Sequence, residues 1–170
     1  MLPISISSKL TKESYIKLMY LLTYRKPVMI FCTIAGTGML ILSLLYFAGL
    51  YMVDSEPPYI QLLAGLFIAV YMPILVYRNS IKTFRANKRL QEKINYQFDL
   101  QKFSIQGDSF NSEMYWAKTH NILELKHWIL IYQDQAVANL VPMKSFIPDQ
   151  RISFKKLIQE VSETYNIPRK

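Results

Sequence analysis

PVMIFCTIAGTGMLILSLLYFAGLYMV (residues 27–53), DSE (54–56) and PPYIQLLAGLFIAVYMPILVY (57–77) are the stretch on which the fold of this chain turns. Neither apolar run contains a charged residue, and the acidic link between them contains no base. A bilayer core of about 30 Å is spanned by roughly 20 apolar residues in a helix. Each run is long enough, and in lipid a helix closes its own backbone hydrogen bonds. The pattern predicts a membrane hairpin, 27–53 and 57–77, whose short link makes the two helices antiparallel neighbours.

Charge on either side orients the hairpin. Residues 1–26 hold Lys9, Lys12, Lys17, Arg25 and Lys26 against Glu13, and residues 78–93 hold Arg78, Lys82, Arg85, Lys88, Arg89 and Lys93 against Glu92. Basic flanks stay on the cytoplasmic side, so both termini are expected in the cytoplasm, with the chain crossing the membrane twice and the link facing outward. The net charge is +8, yet residues 94–170 carry nine bases and eight acids. The basicity is therefore membrane-flanking, and no nucleic-acid partner is expected. Cys32 is the only cysteine and lies in the first run, which leaves no intrachain disulfide.

Ahead of the hairpin, Ile4-Ser5-Ile6-Ser7 alternates as a half-buried strand does. Thr11 reads as an N-cap with Glu13 in the first turn, and Tyr15, Leu18, Met19 and Leu22 form one apolar face of a short helix. That helix is expected either at the membrane surface or on the soluble domain. After the hairpin a helix is expected to continue through 78–93. Arg78, Lys82, Arg85 and Arg89 then form a basic stripe, read either as a positive flank or as contacts to anionic lipid head groups.

From Asn95 the period becomes two. Tyr96, Phe98 and Leu100 alternate, then Phe103 and Ile105, with Gly107-Asp108 as a turn. Phe110, Met114 and Trp116 suggest the next arm, and Ile122 to Leu125 a further strand. Trp128 to Tyr132 reads as a buried central strand, and Ala136 to Val141 returns before Pro142. Phe154, Leu157, Ile158, Val161 and Tyr165 mark a final amphipathic helix, capped by Ser153 and stopped by Asn166 and Pro168. About five antiparallel strands followed by a helix make an α+β domain over 94–170.

The search for chemistry is brief. His120 and His127 lack a metal-ligand spacing, and no nucleophile elbow or glycine-rich phosphate loop occurs. The runs hold no ionisable relay residue. No catalytic residue, metal or cofactor is therefore assigned, and no enzyme activity is expected. Trp116 and Trp128 read as core residues or as anchors of a partner surface. Lys144, Arg151, Lys155 and Lys156 read as a solvated face or as part of that surface. Small residues let helix backbones approach closely. Gly36, Gly38, Gly65 and Ala69 are expected to pack the hairpin on itself, with a homodimer through the same faces as the alternative.

Several of these stretches resemble the YcxB-like family of small bacterial membrane proteins. Lys9-Leu10-Thr11-Lys12-Glu13-Ser14-Tyr15 is similar to the family's Leu-Thr-x-x-Asp-Tyr opening, with Ser14 in place of the acid. The hairpin with its basic exit helix is similar too. So is the tail, through Tyr115-Trp116, Leu130-Ile131-Tyr132, Ala136, Pro142 and Phe146, with Val141 for the family's Ile. The resemblance implies a domain like a pleckstrin-homology fold, a bent antiparallel sheet closed by a C-terminal helix. The strands counted from 94 onward fall one or two short of it, and Ile4–Ser8 is available to supply one. No enzyme activity accompanies the family, and some members look like products of toxin–immunity clusters. The expected function is a non-enzymatic membrane-anchored binding module that meets a protein or lipid partner. The alternatives are an immunity protein that neutralises a toxin and a ligand-gated membrane-disrupting effector.

Overall fold

The computed structural model describes residues 3–50 and 56–170, so Asp54 and Ser55 of the acidic link lie outside the described residues. The chain forms two compact units: one from the residues up to Leu10 together with Arg89–Lys170, the other from Thr11–Lys88. The class is α+β, with two antiparallel sheets and two long apolar helices.

In the first unit, β1 (Ile4–Lys9) pairs antiparallel with β2 (Lys93–Phe98), in register Ile4 to Phe98 and Lys9 to Lys93. Strands β3 (Lys102–Gln106) and β4 (Asn111–Tyr115) extend this sheet in the order β1-β2-β3-β4. The expected N-terminal strand thus joins the sheet although the whole apolar hairpin separates it from β2 in sequence. A second sheet is built from β5 (Asn121–Leu125), β6 (Trp128–Tyr132) and β7 (Ala138–Pro142). Strand β6 occupies its centre, as the unbroken apolar run predicts, and Ile129, Leu130 and Ile131 are buried.

Alternation places Ile4, Ile6, Tyr96, Phe98, Phe103 and Ile105 on the inner face of the first sheet, where they meet Phe154, Leu157, Ile158 and Val161 of the last helix. The Phe154 ring lies 4.5 Å from Phe98, tilted, and 4.5 Å from Phe146, stacked. Tyr96 is buried with these rings, and its hydroxyl donates to the Leu140 carbonyl at 2.8 Å, tying the first sheet to β7. Burial pushes its phenol pKa up.

The last helix, α5 (Pro148–Thr164), begins earlier than the sequence suggests. Pro148 takes the first helical position, where its missing N–H costs nothing, and Ile147 is the N-cap. Ser153 is no cap: its hydroxyl donates to the Asp149 carbonyl inside the helix at 3.0 Å. Just past the helix Asn166 takes a left-handed φ of 52°, and the Ile167 amide donates back to the Ser162 carbonyl at 2.9 Å. Beyond it, the Ile122 amide donates to Pro168 and the Glu124 amide to Lys170, so the C-terminal residues cover the outer edge of β5.

The second unit is helical. Helix α1 (Lys12–Tyr24) starts at its Thr11 cap as expected. Neither expected location describes its packing: it lies along α4 (Met72–Ala86), with Leu18 fully buried, the Tyr15 and Phe84 rings 5.6 Å apart, and the Tyr20 hydroxyl donating to the Pro73 carbonyl at 2.7 Å. Helix α2 (Pro27–Phe47) stops short of Val53. Gly49 adopts φ 68°, its amide donates to Tyr46 and the Leu50 amide to Leu45, a glycine stop that absence of charge does not reveal.

Helix α3 (Tyr59–Leu66) passes into a π-helical turn, Phe67–Tyr71, and then into α4, giving a continuous helical run Tyr59–Ala86. Pro73 has no N–H to offer Ala69, and its ring crowds that carbonyl; the wide turn relieves both. The exit helix is shorter than predicted. It ends at Ala86, a 3-10 turn covers Lys88–Gln91, and β2 begins at Lys93, because the chain must become extended to meet β1.

Candidate functional site

Arg78, Lys82 and Arg85 lie on α4 at helical spacing, and all three are exposed. Arg89, read as the fourth member of that stripe, is not on the helix. It belongs to the 3-10 turn of the other unit, with its guanidinium over the Phe110 ring at 5.3 Å. Nearby, Glu92 accepts from the Ser109 hydroxyl at 2.5 Å and from the Ser109 amide at 2.9 Å. These bonds, the hydroxyl's above all, hold its carboxyl below the usual glutamate range. Arg89 and Glu92 therefore clip the start of β2 to the β3–β4 turn.

The candidate partner surface is divided. Trp116 is fully buried, its ring 4.6 Å from Phe103 and its indole N–H donating to the Asp99 carbonyl at 2.7 Å. Trp128 is buried as well. Neither indole is exposed for a partner, which corrects that reading: Trp116 belongs to the core between the sheets and α5, and Trp128 is buried on the opposite face of β6 from Ile129 and Ile131. Lys144 sits in the turn between β7 and α5, while Arg151, Lys155 and Lys156 are exposed on α5. Lys156 lines a cleft of about 420 Å³ beside β1, which it shares with Ile4, Ser5, Asp149 and Ser153.

The four small residues also separate. A Cβ on Gly65 meets backbone atoms of Leu40 and Gly36 at 2.7–2.9 Å, and one on Gly36 meets Ile68 at 2.6 Å. Gly36 and Gly65 thus serve close α2–α3 packing within the chain and are buried there, so neither is offered to a second copy. A Cβ on Gly38 would meet nothing within 4 Å, and Ala69, in the π turn, is half-buried.

The outer face of the four-stranded sheet is a surface that sequence reasoning missed. Ser5, Ser7 and Lys9 on β1 lie across from Gln97, Asn95 and Lys93 on β2, and Ser104 and Gln106 continue the rows on β3. A shallow cleft of about 380 Å³ runs over Ser5, Ser7, Asn95, Gln97, Ser104 and Gln106. Its rim on β3–β4 is neutralised by the Lys102–Glu113 ion pair, which raises the lysine's pKa. The alternation of each strand was legible, but their pairing joins residues separated by the whole helical unit. Among the described residues, no three His, Cys, Asp or Glu side chains gather as metal ligands.

Residues 98–158 match the family described as YcxB-like protein. The matched segment runs from the end of β2 into α5 and contains Trp116, Leu130-Ile131-Tyr132, Pro142 and Phe146. It excludes the opening segment and the apolar hairpin. No curated protein and no solved structure matches the chain.

Proposed function

We propose, with the likeness of residues 98–158 to YcxB-like proteins as premise, that this protein is a non-enzymatic binding module anchored in a bacterial inner membrane. The pairing of β1 with β2 carries the reading. One strand precedes the apolar hairpin and the other follows it, yet they share a sheet, so any crossing of a bilayer must be matched by a return. Two crossings satisfy this, and the basic flanks put both ends in the cytoplasm.

The helices support the membrane as their environment. Helix α2, at 21 residues, is about 31 Å long. Phe31 is 72% exposed, Ile34 69% and Ile60 84%. Apolar surface of that extent needs a partner, and lipid is the one that two adjacent uncharged helices suit. Seven strands in two antiparallel sheets with a closing C-terminal helix suit a pleckstrin-homology-like domain. Its surface carboxylates with lowered pKa, Glu92 and Asp134, are engaged in turn hydrogen bonds, which suits a scaffold better than acid–base chemistry. Tethering raises the effective concentration of a weak binding surface at the bilayer.

Reporter fusions at both ends test the topology. Cytoplasmic signals at each end, and retention in the membrane pellet after a high-salt wash, are expected. A periplasmic signal at one end only is incompatible with β1–β2 pairing, and recovery in the supernatant without detergent rejects the anchor.

A further inference from the structure

We infer that the open edge of β1, with the groove beside α5, is an interface at which a second copy of this chain adds its own β1 antiparallel to the first. Every residue involved belongs to the unit that contains both sheets and α5, so the inference goes beyond the membrane reading and does not depend on it. The four-stranded sheet has two edges, β1 and β4. Among the described residues, no backbone hydrogen bond joins Ile4–Lys9 to any element but β2. The outer side of β1 therefore offers a row of donors and acceptors that another strand can take. Sheet edges are ordinarily protected by charge, by proline or by a covering segment. Here β4 carries Glu113 at its centre, paired with Lys102. In the other sheet the C-terminal residues cover β5, and the Leu140 carbonyl of β7 takes the Tyr96 hydroxyl. Ile4 to Ser8 carries neither charge nor proline.

The Ser145 hydroxyl donates to Ser8 at 2.8 Å, which sets the turn after β7 against that end of the strand. Pairing is thus centred nearer its start, where Ile4 and Ser5 line the groove of about 420 Å³. The α5 wall of that groove names the occupant. It carries one anion, Asp149, and one cation, Lys156, seven residues or about 10 Å apart along the helix. Neither has an ion pair among the described residues. A two-fold axis through paired edge strands turns the two walls end for end. Asp149 of each copy then meets Lys156 of the other. A charge pattern that is its own complement is what an isologous contact needs. Ile152, 58% exposed, lies one turn from both on the same side of α5 and adds an apolar contact. With the axis at Ser5, Ile4 stands opposite Ile6 of the second copy, and the two four-stranded sheets continue as one. So short a contact lies at the small end of interface size, and the dimer should form and dissociate with concentration.

The full chain in neutral detergent, with Cys32→Ser as background, is given single cysteines and a mild oxidant. Directly opposed residues of an antiparallel pair have Cα atoms about 4.5 or 5.5 Å apart, within disulfide reach. Ser5→Cys is expected to form a linked dimer, and Gln97→Cys, one strand in from the edge on the same exposed face, is not. Sedimentation of the unaltered chain should show a monomer–dimer equilibrium. Asp149→Lys and Lys156→Asp should each weaken it about tenfold, since two exposed ion pairs give way to like charges, with the fold intact by circular dichroism. An equimolar mixture of these two variants should restore the dimer, because each copy again meets the opposite charge at both ends. Equal linking at Gln97 would reduce the Ser5 link to chance collision within a micelle and overturn the interface, as would a chain that stays monomeric at every concentration. Loss of the dimer in both charge variants without recovery in the mixture overturns the paired α5 walls. Shielding of Ser5→Cys from maleimide in cell membranes, with no dimer formed, gives the edge to another protein's strand and overturns the second copy as occupant.

Discussion

Replacing Gly65 by alanine should force α2 and α3 apart. The new methyl meets the Leu40 nitrogen at 2.7 Å, the Gly36 carbonyl oxygen at 2.9 Å and the Leu40 Cα at 2.9 Å. Comfortable carbon contacts lie at about 3.5–4.0 Å, so a local opening of roughly 1 Å is required. All three obstacles are backbone atoms, and no rotamer change can move them. Overpacking of this kind costs about 1–3 kcal/mol. Alanine recovers up to about 1 kcal/mol of helix propensity over glycine. The net expectation is a loss of up to about 2 kcal/mol, the difference of these two terms. Gly38→Ala, which meets nothing within 4 Å, retains only the favourable part and should be neutral or stabilising. Thermal unfolding of the purified chain in detergent reads the difference, with light scattering to follow its mass. A harmless Gly65→Ala beside a damaging Gly38→Ala would refute the reasoning and move the close helix contact elsewhere.

Other outcomes follow from the sheets and turns. Ile6→Glu puts a carboxylate on the inner face of β1, where Ile6 is buried, and should lose more than about 2 kcal/mol; limited proteolysis of residues 89–170 checks it, and unchanged resistance counts against β1 as a sheet member. Trp116→Phe keeps an aromatic against Phe103 but leaves the Asp99 carbonyl without its indole donor, with an expected loss of about 1 kcal/mol in unfolding free energy, read from the denaturant midpoint. The lowered pKa of Glu92 means its bonds to Ser109 contribute fully above the usual value of 4.5 and are lost as pH falls through the lower, folded value. The Ser109 amide resonance should shift in that acid window, and Glu92→Gln should abolish the titration.

Much of the secondary structure could be read directly because its causes are local. Thr11 caps α1 through a hydroxyl three residues from the amide that donates to it, and Trp128–Tyr132 has the composition of a central strand. Readings failed where a distant partner decided. Arg89 fits a helical stripe by spacing, but extension toward β1 ends α4 before that residue is reached. The indoles of Trp116 and Trp128 suit a core or an interface equally well as side chains, and only the tertiary fold buried them. Ser153 has the right chemistry for a cap, but Pro148 had already begun the helix. The cationic end of the outer sheet face could not be foreseen, since Lys9 and Lys93 become neighbours only through register.

Hydrophobic run length and flanking charge act through the solvent on each segment separately, so order along the chain was enough to define two apolar helices, their basic borders and an α+β tail. Which residues share a face, which glycine touches which backbone, and which lysine stands opposite another depend on contacts between segments far apart in the chain. Those contacts are short-ranged and set by register and packing, and only the folded sheets and the paired helices could decide them.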